Sequence, residues 1–397
     1  MTYLAFALKE RRLLSFAVSL TFFSSFGQTF LISLFVPFFL GAFHLTNATF
    51  GTLYSAATLL SAFMLPYLGQ MIDRISLRNY SLAVAGALVA AALLMAAAWH
   101  IAILFLALVL LRLAGQGLSG HTAQTAMARY YDHHRGKALS ISNLGYPMGE
   151  GVLPIAIAGL LALVHWRVSW LIIAGCIAFL LIPALWALVR NDARTHHTGE
   201  EADRDGSAWD DYRLVFSESR LPFILPAILL PPFWITGIFL YQVSTAEQLG
   251  WSAALIASAF VAFAVARIVF GLIAGPLVDR FTAQKVFPFL LLPMIGGLLI
   301  GAAFSAAWAA FLYMALFGVT MGFAGTIKSA LWAEMFGVER IGTVRSLFSS
   351  LMVFATAVSP MLVGWMLDSG TDIVTILYYA AVTSLAGALL SFRLFKS

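Results

Sequence analysis

Charge is what this sequence has least of. Only 10% of its 397 residues are Asp, Glu, Lys or Arg, while 61% are hydrophobic. A water-soluble chain of this length cannot bury that much apolar surface, so a polytopic membrane protein is the class that remains. Cysteine is scarcer still. The single Cys176 lies inside an apolar run, which excludes a disulfide framework. Several motifs are missing. Without Gly-x-x-x-x-Gly-Lys-[Ser/Thr] there is no ATP-driven pump in this chain. His-Glu-x-x-His and Gly-x-Ser-x-Gly are absent as well, and no nucleophile–base constellation marks an intramembrane enzyme. No metal-ligand spacing and no cofactor motif occurs.

The bases that are present mark topology. Twelve apolar runs of about 20 residues or more can be counted, at about 14–40, 48–71, 79–98, 101–128, 137–163, 168–189, 220–245, 252–277, 285–305, 308–335, 343–367 and 372–394. Loops on the N-terminal side of the membrane hold 19 of the 23 Lys and Arg, from Lys9 to Lys396. The opposite loops hold only Arg167, and Arg112, Arg267 and Lys328 fall within runs. The positive-inside rule then places both termini in the cytoplasm of a multi-pass protein of the cell (inner) membrane. The net charge of +5 is explained by this asymmetry and does not point to nucleic acid. Lys9, Arg11 and Arg12 precede the first run. That run continues to about Leu40 with no small-residue cleavage site, so it reads as a retained span and not a signal peptide.

One stretch organises the chain. Gly69-Gln70-Met71-Ile72-Asp73-Arg74 has a near-copy 206 residues on, Gly275-Pro276-Leu277-Val278-Asp279-Arg280, each followed by a base four or five residues later. The same offset relates Gly136 to Gly342 and Pro154 to Pro360. Two six-helix halves follow, residues 1–190 and 220–397, joined by a polar cytoplasmic linker, 191–219. The linker holds His196, His197 and several acids and reads as a solvated, charged segment.

A Gly-x-x-x-Asp-Arg loop between the second and third spans of each half resembles the signature of the major facilitator superfamily of secondary transporters. The resemblance covers essentially the whole chain. It implies an all-α integral membrane protein of twelve transmembrane helices in two pseudo-symmetric six-helix bundles, with a substrate site near mid-membrane. It also implies roles for the loops. Gly69 and Gly275 permit close helix approach. Asp73 caps the eleventh helix near Gly342-Thr343, and Asp279 the fifth near Gly136-Lys137. Arg74 and Arg280 anchor to lipid phosphates or acids, and the loops gate the cytoplasmic side.

Ionisable groups inside spans are costly and are therefore functional candidates. Arg267 falls near the bilayer centre of the eighth run, about 15 residues from its outer end. A guanidinium there can grip a carboxylate with two parallel hydrogen bonds. The stretch Phe263 to Arg280 is similar to the eighth helix of monocarboxylate and oxalate transporters, where an arginine at this place binds the substrate carboxylate. Tyr130-Tyr131 and Arg135-Gly136-Lys137, leading into the fifth run, are similar to that group too. Phe263 replaces an acid one turn before Arg267, and the first run has no lysine, only Ser24, Ser25, Gln28 and Thr29.

Glu150 is the one acid deep in a span, and it is the candidate proton carrier. Low dielectric raises a carboxyl pKa and a nearby arginine lowers it. Arg112 is its candidate partner, either in a switchable arrangement or in a static bridge. Arg112, Gln28, Lys328 and His121 are read as shaping a positive path, with hydrogen bonding to a neighbouring helix as the other role for His121. Tyr146, Trp234, Tyr241 and Gln242 are candidate cavity-lining groups on the fifth and seventh runs. Pro231 and Pro232 break the backbone ladder of the seventh.

The preferred reading is a monomeric, proton-coupled symporter of a small organic anion, a monocarboxylate, with membrane lipid and protons as its other partners and no cofactor. The alternative is an antiporter that expels drugs or lipophilic metabolites. A non-transporting sensor on the same scaffold is a third.

Overall fold

The computed structural model describes residues 3–131, 134–189, 213, 215–337 and 341–396. Eleven helices among them are long and apolar enough to cross a membrane, and a bent pair, Arg11–Gly27 with Thr29–Phe43, makes a twelfth span. We number the spans in order: α1 is the bent pair, α2 Asn47–Arg74, α3 Leu77–Ala96, α4 Ile101–Tyr130, α5 Arg135–Leu163 and α6 Trp166–Val189. Then follow α7 Leu221–Leu240, α8 Ala253–Phe281, α9 Ala283–Ala303, α10 Ala307–Phe336, α11 Val344–Asp368 and α12 Ile373–Leu394. All are helices for one reason. Hydrocarbon offers the backbone no hydrogen-bond partner, and a helix satisfies its own N–H and C=O groups. Side chains cap several starts. Ser252 Oγ accepts from the Leu255 N–H at 3.1 Å, and Asp372 Oδ1 from the Thr375 N–H at 2.8 Å.

The chain forms two compact units. The first comprises Met1–His44 and Ala56–Ala202, and the second Leu45–Ser55 and Asp203–Ser397. In the first, α1 packs on α5 and α6, and α3 on α4 and α6. In the second, α7 packs on α11 and α12, and α9 on α10 and α12. Adding six to each label of the first set gives the second, so the repeat in sequence is also a repeat of helix packing. The split is not where sequence halves alone would put it. Residues 45–55, the first turns of α2, belong to the second unit. Most of the linker lies outside the described residues, including His196 and His197.

The bend in α1 is 46° and is centred on Gln28, whose ψ of 150° is extended backbone. Opposite it, α4 is wound as a π-helix over Leu111–Ser119. Two glycines meet where these irregular stretches cross. A Cβ on Gly27 would stand 2.1 Å from Leu111 O, and one on Gly115 would stand 2.7 Å from Gly27 Cα. Neither position has room for a side chain. Gly41, farther along α1, has nothing within 4 Å of its Cβ position. Gly27→Ala is expected to lose about 1–3 kcal/mol to overpacking. Thermal melting of the detergent-solubilised protein should fall for that variant and stay at the wild-type value for Gly41→Ala.

Candidate functional site

The α1 break sets the chemistry of the first unit. In a regular helix the Gly27 carbonyl would accept from the Leu31 N–H. Here that N–H goes to Gln28 O, at 3.2 Å. The carbonyl so released is answered from α4. Arg112 Nη1 donates to Gly27 O at 3.2 Å and to Thr29 Oγ1 at 3.4 Å, and its Nε donates to Thr58 Oγ1 at 3.1 Å. Arg112 is only 3% exposed. Its guanidinium ties α1, α2 and α4 together at the break, a fuller structural role than the cavity-lining one its sequence position suggests.

Gln28 is half-buried at the break itself. Glu150 is 8% exposed on α5, one residue after Gly149, and a Cβ on Gly149 would stand 2.1 Å from Ser25 Oγ. That turn of α5 therefore packs against α1 just before the break. Tyr146, one turn earlier on α5, aims its hydroxyl at α4, 2.3 Å from a Cβ on Gly120. So the structure gathers Gln28, Arg112, Tyr146 and Glu150 around the irregular stretches of α1 and α4.

His121 belongs elsewhere. Its Nε2 is 3.3 Å from Gly69 O, at the start of the signature loop. The space at Gly69 is taken by that imidazole, 3.2 Å from its Cβ position, and not by a close helix backbone. Together with Asp73, Gln70 and Thr125 the ring lines a cavity of about 340 Å³. Asp73 accepts from Arg129 at the end of α4, and Arg74 is exposed.

The second unit ties its copy of the loop down differently. Glu334, at the end of α10, accepts from the Ala283 N–H at 2.7 Å and the Gln284 N–H at 3.0 Å and so caps the start of α9. Gly275 has nothing within 4 Å of its Cβ position, Asp279 is exposed, and the Arg280 guanidinium stands 5.1 Å over the Phe281 ring. The side chain of Thr343, beside Gly342 and expected opposite Asp73, lies outside the described residues.

Arg267 is half-buried on α8, where its backbone meets Gly322 of α10: a Cβ there would stand 2.7 Å from Arg267 O. Lys328 follows on α10, about 9 Å farther along the axis. It is half-buried, and its Nζ donates to the Met352 thioether of α11 at 3.5 Å. Trp234 donates to Thr383 Oγ1 of α12 at 2.9 Å. Tyr241 is 1% exposed, with its hydroxyl 2.7 Å from Asn47 O and 3.1 Å from Pro360 O. That side chain holds helices together and has no face open to a cavity. Gln242 is buried beside it in sequence. Outside the spans, the hydrogen bonds from Arg220 hold the Glu218 carboxyl below its usual range, and this pair at 2.8 Å neutralises the base at the start of α7. Among the described residues no three His, Cys, Asp or Glu side chains converge as a metal site.

The sequence matches the profile of the Major Facilitator Superfamily over residues 17–245 and 232–397, which together span nearly the whole chain. The protein is a member of the major facilitator superfamily. It is therefore a multi-pass membrane transporter and not an enzyme. The fold is similar to the crystal structure of the nucleoside transporter NupG, with a TM-score of 0.76, 14% identity, and 98% of this chain and 99% of that one covered. It is also similar to a bacterial homolog of the human lysosomal transporter Spinster, captured inward-facing and unoccupied, with a TM-score of 0.71, 15% identity, and 98% and 95% covered. No curated protein sequence matches the chain.

Removing the guanidinium of Arg112 tests its part in the break. Arg112→Met takes the guanidinium donor from the buried Gly27 carbonyl, at a cost of about 1–3 kcal/mol. A lowered melting temperature with partial recovery in Arg112→Lys is the expected result.

Proposed function

We propose that this superfamily member is a proton-coupled symporter of a small organic anion, a monocarboxylate, working by alternating access. One observation carries the anionic substrate. Among the described residues, the hydrogen-bond partner of the Lys328 ammonium is a thioether, a weak acceptor that brings no negative charge. A cation inside a span is stabilised by an anion, and a substrate carboxylate supplies one. Arg267, earlier along the same pair of helices, is the principal ligand in this reading, because its planar fork matches a carboxylate. Lys328 is the next positive group along that path. Gln28 adds a polar contact at the α1 break, and Arg112 fixes the break. Trp234 and Gln242 belong to the same unit as Arg267 and Lys328, and Tyr146 to the same unit as Glu150, which carries the proton.

The signature residues Gly69, Asp73, Arg74, Gly275, Asp279 and Arg280 gate the cytoplasmic side. Both termini are cytoplasmic in the cell membrane, supported by the 19 of 23 bases on that side. The protein works as a monomer. The likeness to monocarboxylate and oxalate transporters around Arg267 supports the substrate class.

A thermal-shift screen tests the reading. Binding to the folded state raises the melting temperature by mass action. A panel of mono- and dicarboxylates, nucleosides, sugars, amino acids and cationic drugs is applied to wild type and to Arg267→Ala. We expect a monocarboxylate to stabilise wild type and not the variant. Stabilisation only by cationic or neutral lipophilic compounds would transfer the argument to an efflux antiporter. Glu150→Gln should retain counterflow exchange in liposomes and lose accumulation against a substrate gradient; unchanged accumulation would remove Glu150 from the coupling.

A further inference from the structure

Asp368 is the last residue of α11, the end at which a helix dipole disfavours an anion. Its carboxylate serves a different helix. Oδ1 accepts from the Asn47 N–H at 3.1 Å and from Asn47 Nδ2 at 2.9 Å, and Oδ2 accepts from the Ala48 N–H at 2.7 Å. These are the first residues of α2, whose leading N–H groups have no acceptor within their own helix. Asp372, four residues on, behaves in the ordinary way and caps α12, the helix it precedes.

Two further contacts fasten the same turns of α2. The buried Tyr241 hydroxyl lies within hydrogen-bond distance of Asn47 O and of Pro360 O of α11. Glycines let the two backbones touch. A Cβ on Gly51 would stand 2.3 Å from Pro360 O, and one on Gly364 would stand 2.5 Å from Asn47 O. These contacts lie within the second unit, to which residues 45–55 belong.

We infer that Asp368 is a positioning residue, a releasable clasp that fastens residues 45–55 to the second unit and must let go for that segment to leave it. The bonds from Asn47 and Ala48 are solvent-exposed, so water can replace them. The glycine contact carries no interlocking side chain to be undone. In an alternating-access cycle, which is the reading proposed above, the clasp sets how long the first turns of α2 keep their partner. The exchange measurement below does not depend on that reading or on any substrate.

Hydrogen–deuterium exchange of the full chain in lipid nanodiscs tests the clasp. Wild type, Asp368→Asn, Tyr241→Phe and Asp372→Asn are compared over 45–55 and 56–69. Asp368→Asn should speed exchange in 45–55 by about tenfold or more, since charge-assisted bonds to the leading amides are lost. Tyr241→Phe should give a smaller rise in the same segment, and Asp372→Asn none. Residues 56–69 should keep the wild-type rate in all four. An unchanged rate in 45–55 would overturn the inference, and so would a rise spread evenly over 45–69. If Asp368→Asn does not yield folded protein, Tyr241→Phe decides by the same two outcomes.

Discussion

A broken helix inside a membrane must have its freed backbone groups answered by protein, because hydrocarbon cannot answer them. In this chain that constraint falls on Gly27 and Arg112. The extended backbone at Gln28 releases one carbonyl, and one guanidinium takes it up. Much of the first unit follows. A side chain at position 27 or 115 would force the crossing apart. The π-winding of α4 places Arg112 at the break, and the Gly149 contact packs that turn of α5 against α1 just before it. A charge that would be costly alone becomes the fixed point of the bundle.

The two units solve one problem with opposite charge. Each must tie its signature loop to the end of the helix that packs beside it. In the first, Arg129 of α4 meets Asp73. In the second, Glu334 of α10 meets two backbone N–H groups at the start of α9. The repeat has therefore kept the architecture and exchanged the chemistry. The in-span charges diverge in the same way. Glu150 and Arg112 are in the first unit, and Arg267 and Lys328 are in the second. That division is the physical basis for assigning proton and anion to different groups.

The spans and the repeat were legible in the sequence because both are written in long-range patterns: apolar runs, and a constant offset of 206 residues from Asp73 to Asp279 and from Pro154 to Pro360. The charged positions within spans were legible because so few exist. The partners were not. Gly27-Gln28 in a run of mixed small and aromatic residues gives no local sign of extended backbone, and Arg112 reads as a cavity group until the freed carbonyl is seen. Glu334 and Asp368 both bond to main-chain amides, which carry no sequence signature at all. Tyr241 is the same case: an aromatic on a proline-broken helix suggests a lining group, and its hydroxyl lies within hydrogen-bond distance of two backbone carbonyls. Side chains that answer backbone are the part of a membrane site that a sequence conceals.

Coupled transport requires that a carboxylate and a proton move together. The most direct measurement is uptake of the stabilising carboxylate into proteoliposomes of the wild-type protein under an imposed inside-alkaline pH gradient, with the membrane potential held at zero by potassium and valinomycin. Accumulation above the external concentration is expected, abolished when a protonophore collapses the pH gradient. Equilibration to equal concentrations regardless of the gradient would contradict it.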